Sequence, residues 1–289
     1  MSHFTVLVIG ENPEDQLAPF DENLETPRYV EHTKEQLIAK GREEIEDYKN
    51  GSYAEFLADP VKYRENCSND RHMNYIENEF PLKLNWTDEE VYKEQVGWYE
   101  PENVGINGEV YSDRNPLSKW DWYQLGGRWT GMFKLKPVAN KKAAKVGKPG
   151  LMTESAEPGW VDQALKKDID FESMNQESFD SRSKTYDEFE KKHNADELKP
   201  GEPYWDYGIE NQGTRDNFIP ETREQYLKRT VPFSTFALIK DGKWYEKGKM
   251  GWWGVVSDQK EKDAWAEEFN KLLNEIPDDT LISVFDCHI

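Results

Sequence analysis

The sequence predicts an α+β fold, with an antiparallel sheet of the split βαβ (ferredoxin-like) type, helices on one face and long insertions. Two apolar, β-branched runs, 4–9 at the start and 281–289 at the end, have the pattern of strands buried on both faces. Before the second run, apolar residues recur at helical spacing from about 259 to 275, and Pro277 ends this helix. We expect the two terminal strands to lie side by side at the centre of the sheet.

Helices in the first hundred residues are predicted from their N-terminal caps. Thr33, Ser52 and Thr87 are each followed three residues later by Gln or Glu, which is the capping-box pattern. After Thr33 an apolar helical stripe continues to Asn50-Gly51, a typical C-terminal stop. We therefore expect a helix to begin at each of these three caps.

Further strands are predicted from alternation and turn residues. The segment 128–136 alternates with period two, which is typical of a strand. The runs 234–240 and 252–256 flank Asp241-Gly242, a turn signal between extended segments. These strands join the terminal pair in the predicted sheet.

The order of these elements predicts how the chain is divided. Residues 1–136 and 231–289 form the predicted α+β core. Residues 137–230 have no sustained apolar period, so we expect an irregular insertion with short helices near 160–167 and 185–192.

Composition excludes several classes of protein. The 289 residues carry a net charge of −20, which argues against direct nucleic-acid binding over the whole surface, and no apolar run is long enough to span a membrane. Aromatic residues make up 13% of the chain and supply a core despite the low aliphatic content. Cys67 and Cys287 belong to no metal-binding spacing, so a reducing cytosol is expected.

The negative charge is not uniform along the chain. Residues 114–150 contain 9 basic and 1 acidic side chains, a net +8, whereas residues 1–100 have a net charge of −13. Within the basic segment, 141–150 lacks an apolar period and ends in Pro-Gly, which predicts an exposed loop.

The basic segment contains the most distinctive motif of the chain. Its candidate binding residues are Trp120, Asp121, Trp122, Tyr123, Gly126, Gly127, Arg128 and Trp129. Aromatic rings, a glycine pair and an arginine can together bind a base and a phosphate. Alternatively, Trp120 and Tyr123 lie on one face of a helical turn that Gly126-Gly127 ends, and the rings serve packing. The spacing of a phosphate-binding P-loop is absent.

A second candidate group lies on the terminal strands. If these strands pair, His3 and His288 come close together, with Asp286 on the same side as His288. Such a group can be an acid–base pair or a metal site, or simply hydrogen-bonded structural residues. No established catalytic motif occurs, so the sequence leaves enzymatic activity open. We expect no cofactor, with a divalent metal as the alternative.

Three segments resemble those of an uncharacterised family of proteins from tailed bacteriophages and mobile elements. They are the opening 2–10, the central 118–129, and the closing 252–256 with 279–281 and 286–289. The resemblance implies a viral origin and the cytoplasm of an infected bacterium as the site of action. It brings no catalytic residues with it.

Two functional hypotheses follow. In the first, an acidic phage protein, similar in size to phage inhibitors of the Gabija nuclease, binds and inhibits a host defence complex without catalysis and forms a homo-oligomer. In the second, the chain binds or hydrolyses a nucleotide: Trp120, Trp122 and Arg128 hold the base and phosphate, and His3 with His288 supplies acid–base or metal chemistry.

Overall fold

A computed structural model describes residues 2–195, 207–213, 218–251 and 254–289. The chain forms two compact units, one made of 1–24 with 116–289 and the other of 25–115. The sequence-based division into a core (1–136 with 231–289) and an insertion (137–230) stays a prediction. No helix of the described residues has both the length and the apolarity that crossing a membrane requires.

The helices are α1 (Pro13–Leu17), α2 (Lys34–Tyr48), α3 (Ala54–Ala58), α4 (Pro60–Asn66), α5 (Asp70–Asn74), α6 (Phe80–Lys83), α7 (Asp88–Val96), α8 (Phe171–Asn194), α9 (Arg223–Lys228) and α10 (Lys262–Asn274). The strands are β1 (His3–Ile9), β2 (Tyr29–His32), β3 (Val110–Ser112), β4 (Trp122–Gly127), β5 (Phe133–Lys134), β6 (Lys148–Pro149), β7 (Trp160–Val161), β8 (Gln163–Leu165), β9 (Ala237–Lys240), β10 (Lys243–Glu246), β11 (Lys249–Met250), β12 (Val256–Ser257) and β13 (Leu281–His288).

The main sheet confirms the α+β class and the pairing of the terminal strands. Its order is β10-β9-β1-β13-β4-β6, with β8 also paired to β13. β1 and β13 are antiparallel, in a register that runs from His3 opposite His288 to Ile9 opposite Ile282. β1 with β9 and β4 with β6 are parallel, so the sheet is mixed and the expectation of an antiparallel sheet was wrong.

Both faces of this sheet are covered. On one face, Trp265, Phe269 and Leu273 of the amphipathic α10 pack on apolar side chains of the central strands. On the other face, Leu17 from α1 and Trp120 join a second apolar cluster. Helical residues therefore cover both faces, whereas the sequence predicted helices on one face only.

The β9–β10 hairpin confirms the predicted turn. Asp241 and Gly242 have φ angles of 52° and 71°, as a two-residue hairpin turn requires. The second strand of the hairpin is β10, not the predicted run 252–256. In that run Trp252 and Trp253 lie outside the described residues, and Val256 belongs to β12, which pairs with β11.

The segment around the glycine pair differs from the prediction. β4 ends at Gly127, so 128–136 is not one strand: a turn is followed only by the short β5. The predicted helical turn through Trp120 and Tyr123 was also wrong, because β4 pairs with the central β13. This pairing with a distant segment outweighs the local pattern.

The segment 137–230 is more regular than predicted. The expected helix at 160–167 is instead β7 and β8, ending in a 3₁₀ turn. The expected helix at 185–192 is confirmed as part of the longer α8. Residues 141–150 contain no buried residue, as predicted for an exposed loop. The loop is nevertheless attached to the sheet, because β6 pairs with β4 and a Cβ at Gly147 would overlap the carbonyl of Leu125.

In the unit 25–115, two of the three predicted caps are confirmed. Thr33 and Thr87 form complete capping boxes at the starts of α2 and α7. Ser52 caps no helix, because it lies in a π-helical turn where Gly51 breaks the helical dihedrals. α2 packs closely on α7, since a Cβ at Gly41 would overlap the side chain of Val91.

Candidate functional site

The register of β1 and β13 brings four polar side chains together. His3 lies opposite His288 and Thr5 lies opposite Asp286. Because side chains alternate between the faces of a sheet, all four lie on the face that α10 covers farther along the strands. The face thus changes from apolar to polar toward the start of β1.

Asp286 fixes the imidazole of His3. One carboxylate oxygen lies 2.7 Å from Nδ1 of His3, and the other accepts a 2.9 Å hydrogen bond from the amide of Arg128. Asp286 is only 1% exposed, so the contact is shielded from water. A charged Asp286 places the proton on Nδ1 and leaves the Nε2 lone pair of His3 pointing away from the carboxylate.

His288 forms a second Asp–His pair. Its Nδ1 lies 2.6 Å from a carboxylate oxygen of Asp121, and the amide of Asp121 donates to the His288 carbonyl at 2.9 Å. The His288 ring meets that of His3 edge to face, with centroids 4.9 Å apart. Nε2 of His288 is buried with no hydrogen-bond partner among the described residues. A buried nitrogen without a hydrogen-bond partner costs free energy.

Next to this site, two consecutive glycines each lie against a buried carboxylate. Gly126 and Gly127 have φ angles of 78° and 59°, which favour glycine. A Cβ at Gly127 would overlap the Asp286 side chain, and one at Gly126 would lie 2.8 Å from Oδ2 of Asp162. The backbone therefore approaches both carboxylates more closely than a side chain would permit.

Asp162 holds the loops around the glycine pair. It is fully buried and accepts from the amides of Gly131 (2.7 Å), Met132 (3.1 Å) and Gly147 (2.8 Å). Burial raises the pKa of this carboxyl above its ordinary value, although the three amides act in the opposite direction. Asp162 was not among the site residues predicted from the sequence, because a single acidic residue between the short strands β7 and β8 gives no pattern.

The structure separates the residues of the aromatic motif. Trp120 is 4% exposed in the cluster on the opposite face from His3, and its Nε1 donates to the carbonyl of Leu17. Tyr123 packs edge to face on Trp120. These two rings therefore serve packing, as the second interpretation of the motif expected, although on a strand instead of a helical turn.

Other residues of the motif remain near the histidines. Trp122 is 43% exposed, and its ring centroid lies 6.0 Å from that of His3. The side chain of Arg128 is exposed, while its amide binds Asp286. Trp129 is half-buried in the turn after β4. The candidate site is thus formed by His3, Asp121, Trp122, Arg128, Asp286 and His288.

Neither a metal-binding group in the described part of the chain nor a known relative is found that would indicate the chemistry of this site. Among the described residues, no three or more His, Cys, Asp or Glu side chains are grouped so that they could hold a metal ion. Comparison of the chain with protein-family models, with curated proteins and with solved structures finds no match in any of the three.

Proposed function

We propose that the chain is a nucleotide-processing enzyme in which His3, oriented by Asp286, is the general acid–base. The observation that carries this proposal is the buried Asp286 carboxylate on Nδ1 of His3. A carboxylate at this nitrogen selects the tautomer whose Nε2 accepts a proton, and it stabilises the imidazolium that forms.

The reaction that fits these groups is hydrolysis of a phosphate ester or anhydride. Nε2 of His3 takes a proton from water as the water oxygen bonds to phosphorus. The bond from phosphorus to the leaving oxygen breaks, and the proton on His3 then passes to that oxygen. The Asp121 carboxylate orients the His288 ring, which contacts the His3 ring edge to face and restricts its position.

The surroundings of His3 suit a nucleotide. Trp122 offers an exposed ring on which a base can stack, and the exposed guanidinium of Arg128 suits a phosphate. Both belong to the segment with a net charge of +8, which attracts a small anion to this part of an otherwise acidic chain.

A substitution series on a panel of nucleoside mono-, di- and triphosphates and cyclic dinucleotides tests the proposal. We expect His3→Gln to lower kcat by about 10²–10⁴-fold, the usual contribution of a general acid–base group. Asp286→Asn changes the tautomer of His3 and should lower kcat to a similar degree. His32→Gln, at the end of β2 in the other unit, is the matched control.

Far-UV circular dichroism and the melting temperature establish that each variant is folded. Lack of turnover of every member of the panel by the wild-type protein contradicts the proposal, as does a His3→Gln variant as active as His32→Gln.

A different observation favours a second candidate function, the inhibition of a host defence complex. The unit 25–115 contains 11 basic and 21 acidic residues, a net charge of −10, and exposes 82% of Trp98. An acidic surface with an exposed tryptophan suits the basic groove of a nucleic-acid enzyme. Size-exclusion chromatography with light scattering, run with candidate defence nucleases, tests this function and the expected homo-oligomer. A monomer that elutes with none of them contradicts both.

A further inference from the structure

Three basic side chains, those of Arg182, Arg229 and Lys262, meet at the C-terminal end of α9, away from the residues of the candidate site. Nη2 of Arg182 donates to the carbonyl of Tyr226 at 3.1 Å, and Nζ of Lys262 donates to the carbonyl of Arg229 at 3.1 Å. The carbonyl of Lys247 accepts a 2.8 Å hydrogen bond from the amide of Lys260, which brings a fourth basic residue beside the segment that carries Lys262. Carbonyl groups at a helix C-terminus attract cations, which explains why two of these side chains lie there.

The charges of this cluster are only partly balanced. Arg229 forms ion pairs with Glu210 and Glu221. Within the described part of the chain, Arg182, Lys247 and Lys262 take part in no ion pair. The positive charges of these three side chains are therefore not balanced by ion pairs with carboxylates of the described residues.

Electrostatics within the cluster agree with an excess of positive charge. Burial lowers the pKa of Lys262, and repulsion by Arg182, Arg229 and Lys247 lowers it further. Asp263, next in the chain, acts in the opposite direction but does not cancel these effects. An anion placed here would relieve the repulsion.

Two donor groups of the cluster lack acceptors. The guanidinium of Arg182 lies 4.1 Å from the centroid of the Tyr226 ring, which fixes its plane, and its Nε is buried with no partner in the described residues. The hydroxyl of Thr230, which directly follows Arg229, is likewise buried and unpartnered in the same part of the chain. Buried donors normally have acceptors, so both groups point to a ligand that accepts hydrogen bonds.

We infer that Arg182, Lys247, Lys262 and Thr230 bind a phosphoryl dianion. A rigid guanidinium, two ammonium groups and a hydroxyl suit a tetrahedral anion with several acceptor oxygens better than they suit a planar carboxylate. The overall charge of −20 favours a small anion over a nucleic acid polymer. This inference does not depend on the reaction proposed for His3.

Isothermal titration calorimetry with inorganic pyrophosphate and, separately, with AMP tests the site. Pyrophosphate represents the free anion and AMP a phosphoryl group carried by a nucleotide. The ligand whose affinity falls more in Lys262→Gln identifies the source, because that substitution leaves Trp122 and Arg128 unchanged. Removing one charge-assisted contact should weaken binding about tenfold, and we expect this for both Lys247→Gln and Lys262→Gln.

The matched control is Lys260→Gln, which removes a charge near the cluster that is already paired with Glu268. Its affinity should stay within about twofold of the wild-type value at constant ionic strength. The increase in melting temperature at a fixed pyrophosphate concentration provides a second readout and shows that each variant is folded.

Absence of binding by both ligands at millimolar concentration overturns the inference. Equal affinities of the Lys262→Gln and Lys260→Gln variants also overturn it, because the binding is then non-specific. His3→Gln should bind pyrophosphate as the wild type does, so failure of the proposed reaction is distinguishable from failure of this site.

Discussion

Gly127 shows at the scale of one residue how the backbone supports the candidate site. Its φ of 59° and its contact with the Asp286 side chain both require the absence of a Cβ. Gly127→Ala should therefore lower the free energy of unfolding by about 2–4 kcal/mol, from dihedral strain and steric overlap together.

Gly242 provides the control for the strain alone, because its φ is 71° and no atom lies within 4 Å of a Cβ there. Gly242→Ala should lower the free energy of unfolding by about 1–2 kcal/mol, and urea denaturation measures both variants. Equal losses for the two substitutions would show that the Asp286 side chain moves aside at no cost.

Asp162 makes a pH-dependent contribution to stability. Because its pKa in the folded protein is raised above the ordinary 3.8, the folded state binds this proton more readily than the unfolded chain does. Its stabilising effect is complete below the ordinary pKa and declines as the pH rises through the pKa of the folded state. Asp162→Asn should lower the free energy of unfolding by about 1–3 kcal/mol, because the amide group would face the Gly147 amide.

We expect the difference between the wild type and Asp162→Asn to be larger near pH 4 than near pH 7, as measured by urea denaturation at each pH. The control is Asp47→Asn, at an exposed position on α2. A difference that grows toward pH 7 would contradict the assigned direction of the Asp162 pKa.

The residues of the site differ in how far the sequence could predict them. His3, Asp286 and His288 were predicted to lie on one face, because the period of two along paired strands determines which side chains meet. The contact of Asp121 with His288 and the role of Asp162 were not predictable, because both depend on how irregular loops return to the sheet. The hydrophobic periodicity of a strand or a helix does not predict contacts that irregular loops make.

At the scale of the elements, the same capping-box sequence pattern forms a cap at Thr87 but not at Ser52. Thr87 Oγ1 accepts from the amide of Glu90 at 3.3 Å, and the Glu90 carboxylate accepts from the amide of Thr87 at 2.7 Å. Thr87→Ala should therefore lower the free energy of unfolding by about 1 kcal/mol.

Ser52 is the matched control, because it has the same sequence pattern but caps no helix. Ser52→Ala should change the free energy of unfolding by less than about 0.5 kcal/mol in the same denaturation experiment. A loss at Ser52 equal to that at Thr87 would contradict the structural difference between the two segments.

Elements with strong internal patterns were predicted and those defined by distant pairing were not. The apolar stripe of α10 and the β-branched runs of β1 and β13 are complete signals within one segment. β4 and β8 are strands because both pair with β13, which is more than a hundred residues away along the chain. A short stretch of sequence does not show that it will pair with a strand so far away along the chain.

At the scale of the whole molecule, the negative charge is shared equally between the two units. The unit 25–115 has a net charge of −10, and the remaining residues contain 26 basic and 36 acidic side chains, again −10. The acidic total therefore does not describe the environment of the histidines, which lie beside the basic segment 114–150. The charge pattern of the sequence predicted that segment, whereas the boundaries of the units depend on long-range contacts.

The two connections between the units suggest that the unit 25–115 is an insertion into a complete domain. Within the unit made of 1–24 and 116–289, near the two points where the chain leaves it, the amide of Glu22 donates to the carbonyl of Trp120 at 2.8 Å. The chain ends that an excision would create are therefore held close together within the remaining unit. We predict that replacing 25–115 by Gly-Ser-Gly leaves a protein that unfolds in one cooperative transition and keeps the circular dichroism of α10 and the main sheet.

Deleting 281–289 should have the opposite effect although it removes far fewer residues. β13 lies between β1 and β4 at the centre of the sheet, and its residues from Leu281 to Cys287 are all buried. Without it β1 loses its antiparallel partner, and α10 loses much of the apolar surface on which it packs. If the excision also abolished cooperative thermal unfolding, the unit 25–115 would be necessary for the fold that carries His3 and Asp286.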